Sequence, residues 1–268
     1  MDQQRVAIVT GASSGIGAET ALAFARRGYA VVLAARRADR LEDVARQCER
    51  LGAATAAVPA DVADRRQVDE LVRRAADEFG RIDVMVNNAA FGVHGRVHEI
   101  DDRDMRDVFD VNFFGVFHGC KAVAPVMMGQ RSGHIFNVSS VIGKRGTPFN
   151  GAYCATKFAV CGLTEAMRVE MAPYGVRVTL VCPGLTDTEF FRSVRGGRQR
   201  SRSSFARLRT LTPPAVVARK IAATVGKSTP ELVFTPGGRF LALLSAVWPR
   251  AADRLLKLYH DDLVRSSK

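Results

Sequence analysis

Tyr153 and Lys157 stand four residues apart in Tyr153-Cys154-Ala155-Thr156-Lys157. On a helix this spacing sets both side chains on one face. A phenol, with an unperturbed pKa of about 10, is a poor base at neutral pH. A neighbouring ammonium favours the phenolate and lowers that value, which moves the tyrosine toward acid–base duty. The pair alone is a weak signal, because Tyr and Lys at this spacing occur in many helices. It has company in Ser140, thirteen residues upstream within Asn137-Val138-Ser139-Ser140, whose hydroxyl is suited to polarising a carbonyl.

A second cluster suits a phosphate. An apolar run at residues 6–10 leads directly into Thr10-Gly11-Ala12-Ser13-Ser14-Gly15-Ile16-Gly17, and a helical pattern follows. Glycines let the backbone turn sharply and approach a pyrophosphate, which rests on the free N–H groups of the helix start. The spacing G-x-x-x-G-x-G departs from the commoner G-x-G-x-x-G. About 20 residues on, NAD enzymes carry an acid for the ribose 2′-hydroxyl. This chain reads Leu33-Ala34-Ala35-Arg36-Arg37, with Ala35 at that place and two arginines after it. Guanidinium groups grip a 2′-phosphate through paired charged hydrogen bonds. NADP(H) is therefore expected in preference to NAD(H).

With Thr10 and Ile16 included, the loop resembles the cofactor loop of the short-chain dehydrogenase/reductase (SDR) family, and further stretches match that family in order. Gly11, Ser13, Ser14, Gly15, Ile16 and Gly17 are the cofactor contacts the resemblance implies there, joined by Arg36 and Arg37. Asp61-Val62 resembles the family's adenine-contacting pair. Asn87-Asn88-Ala89-Ala90 resembles its N-N-A-G segment near the adenosine ribose, which places Asn87 and Ala89 in the set. Ala90 replaces the final glycine and adds a methyl at a close backbone approach. Asn112, Ser140, Tyr153 and Lys157 resemble the family's Asn-Ser-Tyr-Lys tetrad, whose thirteen-residue serine–tyrosine spacing selects Ser140 over Ser139. The resemblance implies that Tyr153 gives the proton to a carbonyl oxygen and that Lys157 also holds the nicotinamide ribose. It implies that Ser140 orients the substrate and Asn112 positions a relay water. Pro183, Gly184, Thr186 and Thr188 resemble the segment that holds the nicotinamide carboxamide, Thr188 through its hydroxyl.

These residues need elements to carry them. Residues 6–10, 30–35, 55–58, 83–87, 134–139, 177–182 and 231–235 read as strands, and 18–27, 40–51 and 67–79 as helices. In the last, Val68, Leu71, Val72, Ala75, Ala76 and Phe79 keep the spacing of one buried face. Apolar strands alternating with such helices predict an α/β fold: a Rossmann-like doubly wound parallel sheet of about seven strands with helices on both faces. One domain is expected over residues 1–236, including a variable substrate loop at 191–212. A tail helix is expected over 237–268.

The chain has 268 residues, 47% of them hydrophobic and 25% charged, which excludes disordered, collagenous and coiled-coil classes. No uninterrupted apolar run approaches about 18 residues. Five cysteines without a CxxC pair predict free thiols and a cytoplasmic location. His94 and His98 have no further ligand nearby, so no metal is expected. The net charge of +12 is local: residues 1–190 hold 23 basic and 23 acidic residues, and residues 191–268 hold 16 and 4. Residues 192–209 carry seven arginines, no acid and one aromatic, Phe205. Base stacking is thus poorly supported and no nucleic acid is expected.

The apolar run 240–248 and the helical spacing of Ala252, Leu255, Leu256 and Tyr259, beside Arg250, Arg254 and Lys257, suggest an apolar wall at the substrate entrance. A lipophilic carbonyl or alcohol substrate fits it, with at most weak peripheral contact to an anionic membrane. Phe109, Phe113, Phe114 and Phe117 form an aromatic stripe, and the resemblance implies a homodimer or homotetramer through that helix. Two other readings compete. A 3-oxoacyl-carrier-protein reductase would use basic residues to dock an acidic carrier, but such chains resemble this one only up to Gly237-Gly238. A non-catalytic NADP-binding redox sensor would commonly lack the tyrosine or the lysine, and both are present here.

Overall fold

The computed structural model describes residues 4–192, 194–196 and 211–265. Strands β1 (Val6–Thr10) and β2 (Ala30–Ala35) are buried at every position, which parallel strands achieve only with helices on both faces. With β3 (Thr55–Pro59), β4 (Val84–Asn87), β5 (Gly133–Val138), β6 (Val176–Cys182) and β7 (Glu231–Val233) they form one parallel sheet, in the order β3-β2-β1-β4-β5-β6-β7. The helices in chain order are α1 (Gly15–Ala25), α2 (Ala38–Glu49), α3 (Arg65–Phe79), α4 (Asp102–Phe109), α5 (Gly115–Gln130), α6 (Gly151–Met171), α7 (Pro214–Thr224), α8 (Pro236–Val247) and α9 (Pro249–Arg265).

Two apolar layers sandwich the sheet. On one face Phe24 of α1, Leu41 of α2 and Ile221 of α7 meet Val9, Leu33 and Phe136. On the other, Leu71 of α3, Val123 of α5 and Val160 of α6 meet Ile8, Met85 and Leu180. In α3, Val68, Leu71, Val72 and Ala75 are buried as their spacing predicts. Asp64 caps that helix by accepting the Arg66 N–H at 2.9 Å, and Gly80 ends it at a φ of 75°.

The chain winds outward from β1 to β3, then crosses to β4 and winds the other way. The strand order reverses between β1 and β4, and the carboxyl ends of the strands at such a switch point are where folds of this kind bind ligands. The loops after β1, β4, β5 and β6 all leave from this edge.

The helical run Asp102–Gln130 is long and apolar enough, on length and composition, to cross a membrane. Its apolar side (Val116, Cys120, Val123, Met127) lies buried against the sheet, so it is placed as a core helix. Between α4 and α5 the chain makes a π-helical turn, Asp110–Phe114.

The tail corrects the sequence reading. It is two helices, because Pro249 lacks an N–H and restricts the residue before it; Trp248 accordingly sits at φ −141°, ψ 72°. Most of the arginine-rich stretch, residues 197–209, lies outside the described residues, as does residue 193.

Candidate active site

The loop after β1 is built to bring backbone close to a ligand. Gly11 and Gly15 adopt φ of 65° and 57°, a region that penalises side chains. A Cβ on Gly11 would lie 2.8 Å from the Ala89 Cα, and one on Gly17 would lie 2.2 Å from the Gly11 carbonyl. Asn88 locks this approach by donating to the carbonyls of Thr10 at 3.0 Å and Gly11 at 3.4 Å. The Thr10 hydroxyl in turn accepts from the N–H groups of Asn88 and Ala89, at 3.0 and 3.2 Å. Ala90 avoids the left-handed region, so its extra methyl brings no backbone strain. No side chain caps the first turn of α1, whose N–H groups and dipole favour an anion. Ile16 packs against the core beneath.

The two arginines after β2 diverge. Arg37 turns to the loop and donates to the Ser13 and Ser14 hydroxyls at 3.1 and 2.9 Å. Arg36 is more exposed and lies 3.9 Å from the Asp61 carboxylate. Asp61 also accepts the Ala63 N–H at 3.0 Å. Val62 is buried, and a Cβ on Gly115 would come within 2.6 Å of it. Asn87 is buried deeper, donating to Asn137 at 2.8 Å.

The tetrad residues converge at the ends of β5 and α6. Lys157 is buried and donates to the Val138 carbonyl at 2.8 Å, with its nitrogen 5.6 Å from the centre of the Tyr153 ring. Burial pushes the Lys157 pKa down to about 8. It pushes the Tyr153 phenol up, and the facing Ser140 hydroxyl opposes that shift. The expected lowering of Tyr153 by the lysine is therefore reversed in this structure, where desolvation dominates. The two serines separate cleanly: Ser139 is buried and donates to the Lys157 carbonyl at 2.9 Å, whereas Ser140 faces the phenol.

Asn112 is fully buried in the π-helical turn. Its amide donates to the Phe91 carbonyl at 2.9 Å and to the Thr156 hydroxyl at 3.2 Å, and it accepts the Phe91 N–H at 2.9 Å. Both amide hydrogens are engaged by protein, so the side chain acts here as a brace between the loop after β4 and α6.

The segment after β6 packs against these residues. The Pro183 carbonyl accepts from the Val141 N–H at 3.0 Å and the Ser140 hydroxyl at 3.5 Å. Thr186 is buried and bonds the Gly184 carbonyl at 3.2 Å. The Thr188 methyl would lie 3.0 Å from a Cβ on Gly15. Phe190 meets the Tyr153 ring edge-on at 5.3 Å, and Glu189 accepts from Arg37 and Arg40. Thr156, Arg40, Glu189 and Phe190 were not singled out from sequence. Only Thr156, inside the Tyr–Lys pentapeptide, carried a local signal.

The tail borders the same region. A Cβ on Gly238 would lie 2.6 Å from Val141, Arg145 pairs with Asp253, and Phe149 stacks on His260 at 5.4 Å. His94 and His98 do not share a helix: His94 stacks on Phe149, and His98 lies in a short 3-10 turn beside Glu99. Among the described residues no three His, Cys, Asp or Glu side chains gather as a metal site.

Residues 5–199 match the family model described as short chain dehydrogenase. An uncharacterised oxidoreductase of Bacillus subtilis is 33% identical over 265 residues, spanning 96% of this chain and 73% of its own length. An uncharacterised oxidoreductase of Staphylococcus saprophyticus is 40% identical over 187 residues, spanning 69% and 80%. A short-chain dehydrogenase/reductase from Burkholderia phymatum, solved with NAD, is similar at a TM-score of 0.83 and 30% identity, over 92% of this chain and 95% of that one. An alcohol dehydrogenase from the archaeon Thermococcus sibiricus, complexed with 5-hydroxy-NADP, is similar at 0.76 and 30%, over 86% and 96%.

Proposed function

Since the chain belongs to the short-chain dehydrogenase family of oxidoreductases, we propose that it interconverts a carbonyl and an alcohol with NADP(H), on a lipophilic substrate. The observation that carries this reading is the meeting of Tyr153, Ser140 and Lys157 at the carboxyl end of β5 and the start of α6. The glycine cradle, the uncapped start of α1 and the Arg37 guanidinium over Ser13 and Ser14 fit a phosphorylated dinucleotide. When bound, such a cofactor supplies or accepts the hydride.

Tyr153 is the proton donor in reduction. Its raised pKa keeps the phenol protonated at neutral pH, the form needed to protonate a developing alkoxide. Ser140 shares the substrate oxygen and orients it. Lys157, brought to about 8, returns a proton near neutrality and offsets charge on the phenolate left behind. Asn112 positions the site by tying Phe91 to Thr156, one residue from Lys157. Gly11, Gly15, Gly17, Arg37 and Thr188 hold the dinucleotide, with Arg36, Asp61 and Val62 on the adenine side.

The apolar preference rests on the tail, whose Phe240, Leu243, Val247 and Trp248 are 60–77% exposed and whose Gly238, Asp253 and His260 approach Val141, Arg145 and Phe149. Exposed Phe114, at the end of the π-helical turn, and Phe117 on α5 support a homo-oligomer through that helical run. The test is NADPH absorbance against sterols, retinoids, quinones, sugars and acyl thioesters. Turnover of a lipophilic ketone is the expected result. Turnover of acyl thioesters alone would favour a carrier-protein reductase, and none with any carbonyl a redox sensor.

A further inference from the structure

An acid meets the arginines that follow β2. Ala35 stands at the end of that strand, but Glu189, from the turn after β6, reaches the guanidinium groups of Arg37 and Arg40. One of its oxygens accepts from Arg40 at 2.9 Å and the other from Arg37 at 3.3 Å. The two guanidinium groups hold its carboxyl below the usual carboxylate range. Arg37 is shared: Nη1 serves Glu189 while Nη2 serves Ser13 and Ser14. Two arginines converging on both oxygens of one anion is an arrangement that equally fits a phosphate.

The ordinary reading is a solvent-exposed ion pair that contributes little. Three features set this one apart. It joins residues about 150 positions apart in sequence. It lies beside the glycine loop. The turn that carries it also places the Thr188 methyl on Gly15 and the Phe190 ring on Tyr153.

We propose that Glu189 is a built-in competitor for the 2′-phosphate: it neutralises Arg37 and Arg40 and must release them for NADP(H) to be gripped. Glu189 is thus a specificity-determining residue that narrows the margin between NADP(H) and NAD(H). Its release frees the turn that holds Phe190 against Tyr153, so cofactor choice is tied to access to the reacting phenol. NAD(H), with no 2′-phosphate, leaves the contact in place. The proposal rests on the NADP(H) reading given above.

The test is calorimetric titration of wild type and Glu189→Gln with NADPH, NADH, adenosine 2′,5′-bisphosphate and 5′-AMP. The substitution keeps the side chain's size and removes its charge. It should tighten NADPH and the bisphosphate about threefold to tenfold, and leave NADH and 5′-AMP within about twofold. If the wild type prefers the 2′-phosphorylated ligands and the variant shows an unchanged or smaller preference, Glu189 is no competitor and the proposal fails while the NADP(H) reading stands. If neither protein prefers them, the NADP(H) reading fails and takes the proposal with it. A preference that appears only in the variant supports the competition and revises the native cofactor.

Discussion

Asn112 pairs with Phe91 as one strand residue pairs with another: its amide accepts the Phe91 N–H and donates to the Phe91 carbonyl, both at 2.9 Å. The bond is made by a side chain from a π-helical turn, so it ties the loop after β4 to the helical run at the level of Lys157. Asn112→Ala leaves a buried N–H, a carbonyl and the Thr156 hydroxyl without this partner. Each such loss costs roughly 1–3 kcal/mol, so unfolding by urea should show a destabilisation of at least about 3 kcal/mol, with turnover falling alongside. Full stability in the variant would mean that the brace is replaced by water.

Arg37→Ala should weaken NADPH by about tenfold to a hundredfold and NADH far less, because Arg37 is the arginine that reaches the loop serines. Arg36→Ala should have the smaller effect, since Arg36 points to Asp61. Binding titrations of both variants decide it; the reverse ranking would place the 2′-phosphate on the Arg36 side.

Lys157 predicts a linked pH dependence. Its pKa falls on folding from 10.5 to about 8, so the native state binds fewer protons than the unfolded state between those values. Stability should therefore rise with pH across that window. Lys157→Met should remove the slope and raise stability at neutral pH on the order of 2 kcal/mol, while abolishing turnover. Carbonyl reduction by the wild type should fall as pH passes about 8. A stability curve unchanged by the substitution would contradict the burial of a charged lysine.

Removing residues 239–268 should raise KM for bulky apolar ketones more than for small aldehydes, because Asp253 and His260 of α9 contact Arg145 and Phe149. An equal loss for both, tracking a lower Tm, would make the tail a structural cover only.

The parts legible in sequence are those encoded locally. β1 and β2 announce themselves because strands covered on both faces must be apolar throughout, and the Tyr153–Lys157 spacing is a property of one helix. Arg36 and Arg37 were both visible as candidates, but which one turns to the loop depends on the backbone path after Ala35. Glu189 could not be read as a partner of Arg37, because the contact forms only when the segment after β6 reaches back along the carboxyl edge of the sheet, past β5, β4 and β1, to the residues after β2. The titration of Tyr153 was misjudged for a related reason: spacing reveals the ammonium four residues away but not the desolvation that outweighs it. Pro249 is legible in the sequence as a helix breaker, and it divides the tail into α8 and α9.

The central claim is that Tyr153 moves the proton. Tyr153→Phe keeps the ring against Phe190 and deletes only the hydroxyl, so steady-state reduction of a carbonyl substrate, measured with NADPH affinity on the same preparation, tests it most directly. The expected result is a fall in kcat of about 10²–10⁴-fold with NADPH binding within about twofold of wild type. Reduction at a near wild-type rate would show that the proton comes from elsewhere.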